Sequence, residues 1–176
     1  MTIRFQKAIQ HVLAHEGGYN NIADDAGGAT NYGVSLVFLR TAKKDLNGDG
    51  KIDTLDVKNM TKAQAEDIYW NNFWKPYYDV MTERLAMKLF DTAVNTGHAR
   101  ANILLQRSLL RLGSKVNIDG VIGQQTLNEC KRYAEEQLLV AYVQEQLAFY
   151  RSLVTRKPSQ QKFLKGWENR ANWLPL

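Results

Sequence analysis

Apolar residues recur at three- and four-residue spacing through most of this 176-residue chain, a period that favours helices packed on helices. Phe5, Ala8, Ile9, Val12 and Leu13 form the first stripe, which Gly17 and Gly18 end. Residues 17–33 are rich in Gly, Asn, Asp and Thr and read as loop or short hairpin. A second helix is expected over Ser35–Lys44. Thr61 and Gln64 form a capping-box pattern that opens a helix to about Asn72, ahead of Pro76. Leu85, Leu89, Phe90, Ala93 and Val94 mark a helix stopping near Gly97, and the next runs from about Ala99 to Leu112, before Gly113. The stretch from Gln124 to about Thr155 reads as one long helix, and Ser159–Asn172 as the last. No segment repeats. The expectation is an all-α, mainly helical fold, a single two-lobed domain divided into residues 1–97 and 98–176.

The sequence has no run of 18 or more apolar residues, so no membrane-spanning helix is expected. Its N-terminus alternates charged and apolar residues at helical spacing instead of carrying the apolar stretch of a secretory signal, so synthesis in the cytoplasm is expected. The single cysteine, Cys130, excludes an internal disulfide framework, and its neighbours Leu127 and Ala134 suit a buried structural thiol. Charge is uneven: residues 1–99 carry 11 basic and 12 acidic side chains, residues 100–176 carry 12 and 6. A basic second half fits an anionic partner surface such as a cell-wall polymer, a lipid head group or nucleic acid. No helix-turn-helix or aromatic-basic pattern supports nucleic acid.

Glu16 raises the first chemical question. It follows Ile9 by seven residues and Val12 by four, so it shares the face of the apolar stripe, and it lies at the negative end of the helix dipole. Both circumstances disfavour the carboxylate and are expected to raise its pKa. A carboxylic acid protonated near neutral pH can donate to a departing sugar oxygen. Asp25 and Thr30 follow on the adjoining loop, and together they could hold and activate a water, as the base of an inverting glycosidase does. Asp24 is the alternative to Asp25.

The segment HEGGYNNIADDAGGATNYGVS resembles the signature of the glycoside hydrolase family 108 N-acetylmuramidases, phage endolysins and related bacterial wall hydrolases. DLNGDGKIDTLD, YWNNFWKPY, LFDTAVNTGHARANILLQRSL and NIDGVIGQQTL continue the likeness in the family's order, over about residues 5–130. The resemblance implies a lysozyme-like all-α fold. It also implies hydrolysis of the β-1,4 bond between N-acetylmuramic acid and N-acetylglucosamine in peptidoglycan. The family's catalytic Glu falls on Glu16, its loop Asp on Asp25 and its Thr on Thr30. Ala26 stands where the family usually has Pro. The first lobe would then be the muramidase lobe and the second a peptidoglycan-binding-like lobe.

DLNGDGKIDTLD, Asp45 to Asp56, carries an EF-hand ligand pattern. Asp45, Asn47, Asp49, the Lys51 carbonyl and Asp56 would be the ligands, with Asp53 acting through water. Gly50 occupies the sharp turn. A structural Ca2+ is expected, pinning the loop. His11 and His15, four apart, lack two further ligands for zinc.

In the second half, Ile118–Thr126 resembles the D-G-x-x-G-x-x-T element of peptidoglycan-binding modules. Asn95 and Gln106 are polar residues within apolar helices, where burial would oblige them to hydrogen-bond; either could meet sugar N-acetyl groups. Tyr32, inside the signature, is the aromatic best placed to stack on sugar; Tyr19, Trp70, Trp74 and Tyr77 are further aromatic faces. The expected partner is therefore the peptidoglycan glycan strand, met by a monomer in the periplasm after holin-type release. The rival readings are a lytic transglycosylase, which needs no water-holding Asp, and a non-catalytic calcium- and wall-binding module.

Overall fold

The computed structural model describes residues 1–15, 17–21 and 28–175, with the side chain of His15 left aside. The chain is mainly α-helical and lysozyme-like, as expected, with one two-stranded hairpin among the described residues. It forms two compact units, Met1–Trp74 and Lys75–Leu176.

The first unit starts with α1 (Ile3–His15), whose stripe of Phe5, Ala8, Ile9 and Val12 is buried. Phe5 is fully enclosed. Its ring meets Trp70 edge-on at 5.1 Å and Trp74 at 5.4 Å. Burying such a side chain stabilises the unit by roughly 1.5–3 kcal/mol. A hairpin follows, β1 (Thr30–Asn31) and β2 (Val34–Ser35), then α2 (Leu36–Thr41). The Ser35 hydroxyl accepts from the Phe38 N–H at 3.1 Å and so caps α2, which is shorter than the expected Ser35–Lys44.

The short helix α3 (Thr54–Asn59) was not expected from apolar periodicity. Its start is chemical: Asp53 and Asp56 form a capping box. The same device at Thr61 and Gln64 opens α4 (Lys62–Asn72), as its sequence predicts.

In the second unit a 3-10 turn (Pro76–Val80) leads into α5 (Glu83–Thr96) and α6 (His98–Arg111). Gly97 joins them at φ +82, a conformation costly for any residue with a Cβ. The predicted single helix from Gln124 is in fact two, α7 (Gln124–Cys130) and α8 (Glu135–Arg156). No Gly or Pro marks the break. Ala134 takes an extended conformation, and Arg132 folds back on Glu129 with two bonds of 2.9 and 2.7 Å. The last helix is α9 (Gln161–Asn172). Leu89, Phe90, Leu104, Leu105, Leu139 and Tyr142 fill the core of this unit. Inside it, Asp91, 1% exposed, pairs with Arg170 at 2.9 Å. The boundary expected at residue 97 falls after α5, whereas the compact units divide before it.

Candidate functional site

The described part of the signature segment is the stretch 17–21 and the hairpin that follows residue 28. Glu16, Asp24 and Asp25 lie outside the described residues; Thr30 lies within them and is held from both sides. Its backbone exchanges two 2.8 Å bonds with Asn20, and in the hairpin it sits opposite Ser35. The turn is Tyr32-Gly33, at φ +50 and +75, a left-handed pair that matches the twist of a tight hairpin. Asn31, 6% exposed, anchors the hairpin by donating its amide to the Val57 carbonyl at 3.0 Å. The Tyr69 hydroxyl donates to the Tyr32 carbonyl at 3.1 Å. The Asn-Tyr-Gly run therefore fixes the backbone around Thr30, and the half-buried Tyr32 ring rides on that turn. Of the other aromatics, Trp74 is a core residue.

The EF-hand-like loop is knit together by its own acidic side chains. Asp45 accepts from the N–H groups of Gly48 at 2.7 Å and Gly50 at 2.8 Å. Asn47 accepts from Asp49 N–H at 2.9 Å, and Asp49 from Lys51 N–H at 2.8 Å. Asp56, 1% exposed, accepts from Leu46 at 2.8 Å, Asn47 at 3.2 Å and Asp53 at 2.9 Å. Burial pulls its carboxyl up, but those backbone N–H groups outweigh burial and hold it below its ordinary range. Gln64 ties the loop to α4 through the Leu46 carbonyl at 3.1 Å. The donors are hard oxygens of the kind calcium takes. Among the described residues, no three His, Cys, Asp or Glu side chains are grouped to hold a metal ion.

Gln106 and Asn95 have different fates. Gln106 is buried at 1% exposed, as expected, and its amide serves the chain itself. Nε2 donates to Asp119 Oδ1 at 2.7 Å and the Val121 carbonyl at 3.0 Å, while Oε1 accepts from Gly120 N–H at 2.8 Å. Asn102 adds a bond to the Gly120 carbonyl at 2.9 Å. The Asp-Gly element is thus a turn clamped on α6, with Gly120 at φ +74, a conformation that a residue with a Cβ adopts only under strain, and packed closely on the Ala99 carbonyl. The Val121 N–H, and then Gln106, hold the Asp119 carboxyl below its ordinary range. Asn95, by contrast, is exposed in the last turn of α5. Its Oδ1 accepts from the Tyr150 hydroxyl at 2.8 Å, and it lines a pocket with Thr96, Phe149, Tyr150, Leu153 and Trp167. Tyr150 and Trp167 are not among the site residues expected from the sequence, although Trp167 lies in the last helix with Phe163 and Trp173. The four-residue spacing of Phe163 and Trp167 is a signal for Trp167; Tyr150, 55 residues from Asn95, has none.

Cys130 is largely buried, and burial pushes its thiol up to about 12, which suits a structural role. No helix among the described residues is long and apolar enough to cross a membrane.

Residues 9–97 match the family described as Glycosyl hydrolase 108, and residues 100–172 match the Predicted Peptidoglycan domain. The solved structure of Brucella abortus SagA is similar over 95% of this chain and 88% of that chain, at 34% identity and a TM-score of 0.77. No curated protein matches the chain.

Proposed function

Because the chain belongs to the glycosyl hydrolase 108 family and is a glycoside hydrolase of peptidoglycan, we propose that it cuts the β-1,4 bond between N-acetylmuramic acid and N-acetylglucosamine. Glu16 gives its proton to the glycosidic oxygen as the bond breaks. Asp25 takes a proton from the attacking water, which Thr30 helps to orient, and the anomeric centre inverts. The single observation that carries this reading is the family match over residues 9–97, which spans all three residues. The backbone bonds that fix Thr30 support its part, because a residue whose main chain is already held loses less freedom when its hydroxyl positions a water.

Calcium, when bound, would stabilise the 45–56 loop through Asp45, Asn47, Asp49, the Lys51 carbonyl and Asp56, with no part in bond cleavage. The protein acts as a monomer on wall glycan in the periplasm, released there from the cytoplasm by a holin-type pore, and so brings about lysis. Its basic second half favours the anionic wall.

Mass spectrometry of sacculi digested by wild type and by Glu16→Gln tests the reading. Reducing-end N-acetylmuramic acid from the wild type alone is the expected result. Anhydro ends would make the protein a transglycosylase and remove the role of Asp25. An absence of products from both would leave a wall-binding module.

A further inference from the structure

We propose that the pocket between α5, α8 and α9 binds the acetamido group of an N-acetylated sugar, as a glycan-holding site built wholly from the second unit. The pocket holds about 200 Å³ and is lined by Asn95, Thr96, Phe149, Tyr150, Leu153 and Trp167. That size suits a substituent or part of one sugar rather than a drug-sized ligand.

The polar wall is preset from inside the fold. Gln146, fully buried, donates to the Tyr150 hydroxyl at 3.3 Å, and that hydroxyl gives its proton to Asn95 Oδ1 at 2.8 Å. Asn95 is therefore oriented with its carbonyl engaged and its Nδ2 group left to donate. Its neighbour Thr96 is the complement. The Thr96 hydroxyl proton goes to the Thr92 carbonyl at 2.8 Å, leaving the oxygen to accept. A donor and an acceptor thus stand on adjacent residues at one pocket.

The other walls are apolar. Tyr150 and Trp167 stack at 5.4 Å with ring planes 21° apart, and Phe163 backs Trp167 at 5.7 Å. Leu153 and Phe149 complete the lining. An acetamido group presents one carbonyl, one N–H and one methyl. Asn95 answers the carbonyl, Thr96 the N–H, and the aromatic wall the methyl. An unsubstituted hexose offers none of the three at that position. Trp167, Tyr150 and Phe149 belong to the segment matched as a peptidoglycan domain. That the natural ligand is wall glycan rests on the function proposed above.

The test uses full-length Glu16→Gln protein, so that no sugar is turned over, with chitotriose and cellotriose as probes. Binding is followed by NMR of the backbone amides and the tryptophan indole N–H groups. Chitotriose should shift residues 95–96 and 149–167, and cellotriose should bind roughly tenfold more weakly or worse, because a site built to hydrogen-bond a group rejects the analogue lacking it. Asn95→Ala, at an exposed position, should keep the fold and lose most of that discrimination. Tyr150→Phe, which removes only the orienting hydroxyl, should lose part of it. Equal affinity for the two sugars, shifts confined to residues outside 95–96 and 149–167, no saturable binding, or undiminished discrimination in Asn95→Ala would each overturn the proposal. Chitotriose binding without reducing-end release by wild type would remove the hydrolase reading and leave this site standing. Release without chitotriose binding would remove this site alone.

Discussion

The ammonium of Lys88, in the middle of α5, lies 2.7 Å from the carbonyl oxygen of Ala171 near the end of α9, and no part of Lys88 reaches solvent. Its other two protons go to the carbonyls of Arg170 at 3.0 Å and Trp173 at 2.9 Å. One buried cation therefore closes the C-terminal end of a helix whose last carbonyls would otherwise lack donors. Arg84 extends the clasp to the Pro175 carbonyl at 2.7 Å.

Burial lowers the Lys88 pKa to about 8; the Asp91 carboxylate pulls it up in part, and the Arg170 cation pushes it further down. The unfolded chain, with its lysine near 10.5, binds more protons than the native state between those two values. This group's contribution to stability therefore rises with pH from about 8 and is flat below it. The buried tyrosines Tyr78, Tyr142 and Tyr150 have raised pKa values and work in the opposite sense above pH 10, so the window to examine ends near pH 9.5. Lys88→Met should lower stability at pH 7 by about 3 kcal/mol, since it strips donors from buried carbonyls. The gap between wild type and variant should widen as pH rises from 8 to 9.5. Urea unfolding of both proteins across that range would measure it, and a constant gap would show that Lys88 does not titrate there.

Asn31 joins the hairpin to α3 through the Val57 carbonyl. Asn31→Ala should cost about 1–3 kcal/mol, the usual effect of orphaning a buried polar partner. It should also slow muropeptide release, because Thr30 is one peptide bond away. Thr30→Ser keeps the hydroxyl and should be much the milder change in rate. If calorimetry found Asn31→Ala unstable while its initial rate stayed normal, the anchor would matter to folding alone.

Gln106 and Asn95, two polar residues of apolar helices with different fates, mark how far the sequence is legible. The helical stripes were legible because burial follows their period: Phe5, Ala8, Ile9 and Val12 are all core. The acidic loop was legible as a pattern because each side chain bonds a backbone group a few residues away. Asn95 was expected to be buried, yet it is exposed, because α5 turns its last residues outward. Its partner Tyr150 is 55 residues distant, beyond any local pattern. The break between α7 and α8 escaped notice because its residues are adequate helix formers and only tertiary packing interrupts them. Burial of Gln106 was foreseen; that its amide would be spent on the turn at Gly120 was not.

That turn gives a further test. Gln106→Leu keeps the bulk but strands the Gly120 N–H and the Val121 carbonyl, for a loss of about 2–4 kcal/mol from the second unit. Asp119→Ala removes one exposed acceptor and should cost much less. Thermal unfolding of the two variants should rank them in that order. The reverse order would mean that the carboxylate, rather than the amide, holds the Asp-Gly element on α6.

The acidic loop allows the sharpest separation of metal from fold. Asp56 accepts three backbone N–H bonds, and its pKa is held down by them, so its stabilisation is present above the ordinary carboxylate pKa and is lost as pH falls through the lowered value. Asp56→Asn would turn an amide NH2 toward donors and should destabilise the first unit whether or not metal is present. Calcium acts on top of this. Because the loop's oxygens are already bonded within the chain, chelator should leave the first unit folded and calcium should only raise its Tm. At a hundredfold excess over Kd that rise corresponds to about 2.7 kcal/mol. Scanning calorimetry of wild type and Asp56→Asn, each with calcium and with chelator, separates the two effects. A wild type that unfolds in chelator would show that the ion organises the loop. A Tm indifferent to calcium would show that the backbone bonds alone hold it.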